Sequence, residues 1–289
     1  YHRSYRIKGI WIMSECSGHC ETCQHKDEHK NEEDCKIAQA LHCIKHKIVV
    51  MSGKGGVGKS TVSVNLAWHL CKLGYKTGLL DIDFHGPSIP KMLQLEGNQP
   101  ESDGEKLFPV ETSDGLKVMS IGFLLEHSDD PVVWRGPVKM GFIKQMFTDV
   151  AWGDLDYLVV DCPPGTGDEP LSICQMLLDK GGESALLVTT PQQVAATDVS
   201  KSISFCKQLN FKIIGIVENM SGFVCPHCGE MTPIFASGAG EQLAAQYGLK
   251  LLGKLPIEPA ICAGGDAGMP NVDAFKAIAE AVAARNTEK

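Results

Sequence analysis

One stretch limits what this chain can fold into more than any other: "MSGKGGVGKST", Met51 to Thr61. Four apolar residues, Ile48 to Met51, lead into it, and an amphipathic run follows it. Gly53 to Ser60 satisfies G-x-x-x-x-G-K-[ST] at every position. Glycines at Gly53, Gly55, Gly56 and Gly58 let successive backbone N–H groups turn inward around an anion. Such a loop works only between the end of a strand and the start of a helix, whose N-terminus points at the same anion. In this context Lys59 supplies charge to the β- and γ-phosphates of a nucleotide, and the Ser60 hydroxyl ligates Mg²⁺. Val57 and Thr61 complete the cradle.

The rest of the chain repeats the same grammar. Apolar runs predict strands over 48–51, 77–81, 117–121, 157–161, 185–189, 212–217 and 250–253. Period-3.6 patterns predict helices over 61–73, 137–147, 171–178, 194–209, 240–247 and 272–284. Strands that are apolar throughout and alternate with helices imply an α/β fold, a mostly parallel sheet with helices on both faces. Residues 94–115 are polar and rich in Gly and Asp, and read as a surface loop.

Three segments emerge: residues 1–12, which look like an upstream extension; residues 13–46, a Cys/His-rich N-terminal segment; and residues 47–289, the nucleotide-binding domain. The middle segment holds too few large apolar residues to form its own core, so it is disordered or ordered by a metal. Net charge is −8 without a long basic run, which argues against nucleic acid as a partner. No apolar stretch reaches the roughly 18 residues of a membrane span, so a soluble cytoplasmic protein is expected.

Two further stretches carry carboxylates at strand ends. "LLDIDFHGPS" holds Asp81 and Asp83, and "YLVVDCPPGTGDE" ends its strand at Asp161. An acid at that position holds Mg²⁺ through water. The Gly165–Gly167 turn beyond it is a candidate sensor of the γ-phosphate.

The chain has twelve cysteines. Cys71, Cys162, Cys174, Cys206 and Cys262 are scattered and read as small apolar core residues. Cys225 and Cys228, in "GFVCPHCGE", form a CxxC pair. Two thiolates are half of a tetrahedral set; two copies of the chain would bring four together, enough for a [4Fe–4S] cluster or a zinc ion. Cys16, Cys20, Cys23 and Cys35 sit in the N-terminal segment. They are candidates for a second cluster, with zinc held by His19 or His25, or a reactive but unliganded tail, as rivals.

The ordered series "SGKGGVGKST", "DIDFHGPS", "WRGP", "DCPPGTGDE", "TTPQ" and "ENMSGFVCPHC" resembles the Mrp/ApbC family of iron–sulfur cluster carriers. This family lies within the MinD/Mrp group of deviant Walker A P-loop ATPases, and its eukaryotic relatives are cytosolic nucleotide-binding scaffolds. The resemblance spans about residues 47–285. It implies a P-loop NTPase fold and an ATP-hydrolysing homodimer. That dimer would carry a transferable [4Fe–4S] cluster on Cys225 and Cys228, destined for apo-proteins. It implies that Lys54 crosses the dimer interface to the partner's phosphates, that Asp83 orients the attacking water, and that Asp81 sits near the magnesium shell. It implies that Asn219 contacts adenine and that the "LPIEP" loop, including Pro256, closes over the base. It gives no role to Arg135 of "WRGP". A positioning ATPase of the MinD or partition type with a structural zinc at the CxxC is the alternative reading. The short, mixed-charge C-terminus and the acidic balance count against it.

Overall fold

The computed structural model describes residues 5–7, 10–12, 32–84, 86–125, 134–235, 238–267 and 273–287. A nine-stranded sheet runs through the centre. Its order is Met231–Thr232, Ile213–Val224, Glu183–Thr189, Ile44–Ser52, Leu155–Asp161, Thr77–Asp81, Lys117–Ser120 and Val110–Glu111, with Leu251–Ile257 pairing the far side of Ile213–Val224. The two short strands at 110–111 and 231–232 pair antiparallel; the other pairings in this sheet are parallel. Residues Ile48 to Met51, Leu158 to Val160 and Leu186 to Val188 are completely buried, as a sheet covered on both faces demands.

The strand that feeds the glycine loop lies mid-sheet. The chain first builds outward on one side of it, through Thr77–Asp81 and Lys117–Ser120, and then returns to insert Leu155–Asp161. It then adds Glu183–Thr189, Ile213–Val224 and Leu251–Ile257 on the other side. That reversal opens a crevice at the carboxyl ends of the strands. Register aligns those ends: Val50 stands beside Asp161, and Asp81 beside Asp161 on the other side. The helix Lys59–Lys72 follows at once, stopped by Gly74 at φ +91° with Tyr75 N–H donating back to the Leu70 carbonyl.

Three sequence expectations are corrected. The domain begins before residue 47: helix Glu32–Leu41 packs on helix Gly136–Thr148, and its Ile37 and Leu41 join the core, as does Ile44 at the head of the next strand. A few apolar residues cannot build a core alone, but they can extend one that already exists. Residues 94–115 are not uniformly loop. Glu101–Ser102 pairs with Leu107–Phe108, and Val110–Glu111 edges the main sheet. The strand expected over 212–217 runs on to Val224, bent by left-handed residues at Met220 (φ +58°) and Gly222 (φ +106°). Tyr5–Ile7 and Ile10–Ile12 form a separate antiparallel pair. Among the described residues, no helix is long and apolar enough to cross a membrane.

Candidate functional site

The glycine loop surrounds a cavity of about 240 Å³ lined by Lys54, Gly55, Gly58, Lys59, Ser60 and Asp83, among others. The glycines do distinct jobs. Gly56 and Gly58 have φ of +77° and +80°, which only glycine adopts without strain. Gly53 is needed for closeness: a Cβ there would lie 2.3 Å from the Asp198 backbone, on helix Gln193–Gln208.

Lys59 is buried and lies 2.8 Å from Asp161 Oδ1 and 3.4 Å from Asp83 Oδ2. Burial alone would lower its pKa, but the Asp161 and Asp83 carboxylates outweigh that and hold it above the usual lysine value. Among the described residues its ammonium is held by these two ion pairs. A buried cation beside a glycine loop at a helix N-terminus matches a phosphate chain.

Asp161 is fully buried and is the hub of the site. Its Oδ2 accepts from Ser60 Oγ at 2.6 Å, and its Oδ1 accepts from Ser63 Oγ, also at 2.6 Å. Ser60, which lines the cavity, and Asp161, buried directly behind it, thus put hard oxygens side by side, the donor type Mg²⁺ prefers. Sequence reading missed Ser63. The signal was available, because Ser63 lies three residues after Ser60 on the same helix face.

Asp81 stands beneath this layer. It accepts from Ser120 Oγ at 2.8 Å and from the Asp83 N–H at 3.1 Å. Burial, aided by the neighbouring Asp161 charge, pushes its pKa up to about 7. Its oxygens therefore shape the Asp83 turn. Asp83 itself is near the surface of the cleft, facing Lys59.

Lys54 Nζ reaches Gln192 Oε1 of the "TTPQ" stretch at 3.4 Å, on its own chain. Asn219 is buried and donates from Nδ2 to the Val57 carbonyl at 2.9 Å, bracing the back of the glycine loop. A Cβ on Gly58 would collide with that same Nδ2. Leu255 is registered beside Asn219, so Pro256 follows at the same sheet edge.

Five residues beyond the Asn219–Met220 bend comes Cys225. Its N–H donates to Glu230 O at 3.0 Å, and Gly229 N–H donates to Cys225 O at 2.8 Å, closing a tight knuckle. The N–H groups of Cys228 and His227, then the Cys228 side chain, bond the Cys225 sulfur and lower its pKa. Cys225 is half-buried and Cys228 exposed. Among the described residues, no three His, Cys, Asp or Glu side chains converge as a metal site. Cys16, Cys20 and Cys23 lie outside the described residues; Cys35 falls within helix Glu32–Leu41. Cys162, Cys174 and Cys206 are buried thiols, raised by desolvation, as expected of core residues.

Residues 43–288 match the family model described as ParA, NUBPL iron-transfer P-loop NTPase. The chain belongs to this family. It is 50% identical to an iron–sulfur cluster carrier protein of Methanocaldococcus jannaschii, over 90% of this chain and 91% of that one. It is 53% identical to the cytosolic Fe–S cluster assembly factor CFD1 of Kluyveromyces lactis, over 77% of this chain and 80% of the relative. A solved nucleotide-binding protein from Archaeoglobus fulgidus, in complex with ADP, superposes with a TM-score of 0.72 at 43% identity, covering 81% and 91% of the two chains. The cell division ATPase MinD of Pyrococcus furiosus superposes at 0.60 with 25% identity, covering 83% and 99%. This chain thus shares its P-loop scaffold with MinD.

Proposed function

We propose that this P-loop NTPase is a cytosolic carrier that hydrolyses ATP, holds a labile [4Fe–4S] cluster between two copies of the chain, and passes it to apo-proteins. The observation that carries this reading is the Cys225–Cys228 knuckle: two neighbouring thiols, one exposed, just past the end of the strand whose Asn219 braces the phosphate loop. Two thiolates per chain leave the set half complete, and a second copy supplies the rest. An exposed cluster on two ligands per subunit can be released, as a carrier needs.

In this reading the glycine-loop amides and Lys59 bind the phosphates of ATP. Ser60 and Asp161 would hold Mg²⁺, which spreads the charge of the transferring phosphoryl group when bound. Asp83 orients the attacking water from the cleft rim. Lys54 leaves Gln192 and reaches the partner's phosphates, a cation in trans placed where charge develops. Asn219 and Pro256 flank the adenine. The four N-terminal cysteines, Cys16, Cys20, Cys23 and Cys35, hold a second cluster.

The test is anaerobic reconstitution with iron and sulfide, comparing wild type with Cys225→Ser/Cys228→Ser and with a protein lacking residues 13–31. The expected result is a broad charge-transfer absorption and about four irons per dimer that vanish in the double variant. Further iron lost on deleting residues 13–31 marks the N-terminal cluster. Zinc alone in every protein overturns the carrier reading and leaves a MinD-like ATPase with a structural metal.

A further inference from the structure

The "WRGP" motif has no part in the cleft described so far. Trp134 and Lys139 come from the start of helix Gly136–Thr148, whose first turn carries Pro137. Neither lines the nucleotide cavity, yet both reach toward it. The indole of Trp134 packs on Phe84, with ring centroids 5.9 Å apart, and on Phe142 at 5.1 Å; Phe84 and Phe142 are 5.8 Å apart. Phe84 directly follows Asp83 and is only 4% exposed. Its ring therefore anchors the backbone next to Asp83, beside the hydrogen bond from Asp83 N–H to Asp81.

Lys139 joins this anchor to the second loop. Its ammonium lies 5.3 Å over the Phe84 ring and 3.1 Å from Glu169 Oε1. Glu169 is in the first turn of helix Asp168–Leu177, immediately after the Gly165–Gly167 turn that leaves Asp161. The side chains of Lys139 and Glu169 are 12% and 22% exposed, so the pair is largely shielded from solvent, unlike an ordinary surface bridge. One cation thus contacts the Asp83 loop through an aromatic face and the Asp161 loop through a carboxylate.

We propose that Trp134 and Lys139 are positioning residues for nucleotide hydrolysis. They tie the Asp83 loop and the Gly165–Glu169 loop into one unit, so that a displacement of either is felt at the other. This rests on the hydrolysis reading above. A water-orienting carboxylate displaced by even 1 Å costs on the order of 100-fold in rate, which gives such a tie its catalytic leverage.

The experiment uses the full chain and the variants Lys139→Met, Glu169→Gln, their combination, the exchanged pair Lys139→Glu/Glu169→Lys, and Trp134→Phe. Met keeps the apolar stem against Phe84 and removes only the charge. Turnover of Mg·ATP, the affinity for a fluorescent ADP, Tm and tryptophan emission are measured on each. Each single variant should lower kcat about 10-fold while nucleotide affinity stays within about 2-fold and Tm within a few degrees. The combined variant should be no slower than the slower single, because both break one bridge. The exchanged pair restores the bridge but not the cation over Phe84, so it should recover turnover only in part. ATP should change tryptophan emission in wild type, less so in Lys139→Met, and not in Trp134→Phe.

Additive losses in the combined variant, or wild-type kcat in all of them, overturn the tie and leave the hydrolysis reading intact. A fall in kcat that merely follows a fall in Tm also overturns it; Lys139→Gln repeats the measurement if Lys139→Met folds poorly. If wild type hydrolyses nothing, while the emission change is present and is reduced in Lys139→Met, the hydrolysis reading falls and the linkage of the two loops stands.

Discussion

The phosphate loop and the cysteine knuckle both follow the carboxyl ends of strands in one sheet, but they are built on opposite principles. The phosphate loop is over-determined. Its lysine and its central aspartate are buried, two serines bond the aspartate, Asn219 braces the loop from behind, and Asp198 closes on Gly53. The knuckle is held by two backbone–backbone hydrogen bonds, by local bonds to the Cys225 sulfur and by a two-residue edge strand, Met231–Thr232, with Met231 and Ile234 exposed beside it. A site that must bind an anion in one geometry benefits from preorganisation, since the cost of ordering is met on folding. A site that must take up and surrender a cargo is served by exposure and an incomplete ligand set.

Four measurements would break or sharpen this contrast. The largest effect belongs to Cys225→Ser/Cys228→Ser. Iron bound at the knuckle should be lost completely after reconstitution, while Tm changes by no more than about 2 °C, because exposed groups contribute little to folding. A large loss of Tm would mean that the knuckle is structural. Next is Lys59→Met, which should weaken binding of fluorescent ADP by roughly 100-fold, the scale of a buried charge-assisted contact. Knuckle iron should be unchanged in that variant, and isothermal titration with paired iron assays would show otherwise.

Gly53→Ala comes third. A methyl 2.3 Å from backbone atoms of Asp198 forces the loop or the helix to move. We expect a loss of about 2–3 kcal/mol in urea unfolding, the range of overpacking in a tight site. The smallest effect is that of Asn219→Ala. It removes one hydrogen bond to Val57 O and should cost about 1 kcal/mol of stability and a few-fold in ADP affinity. Because Asn219 lies on the strand that ends in the knuckle, this variant also shows whether the two regions communicate. If they do, ATP should alter the rate at which a chelator strips iron from wild type but not from Asn219→Ala.

Much of the architecture was legible in the residues. Strands such as Thr77–Asp81 and helices such as Ala239–Tyr247 fall where apolar runs and helical periods predict them, because burial on both faces writes itself into composition. The helix Glu32–Leu41 escaped notice, since it contributes only a few apolar residues to a core made by others. The extension of Ile213–Val224 past Asn219 was also illegible. It depends on edge pairing with Met231–Thr232 and on a left-handed Met220, neither of which has a local signature.

By itself, then, the sequence determined the kind of site: a glycine loop with its lysine and serine, acids at two strand ends, and a CxxC at Cys225 and Cys228. These are local patterns, because backbone freedom, side-chain chemistry and short spacings are local properties. Only the tertiary structure decided which groups meet. It brought Ser63 onto Asp161 and Ser120 onto Asp81, and turned Asn219 to the Val57 carbonyl. It also set Phe84, Trp134, Lys139 and Glu169 in contact across three separate segments. Those contacts join residues as much as 162 positions apart along the chain, as Val57 and Asn219 are. They arise from strand order and register in the sheet, which no short stretch of sequence encodes.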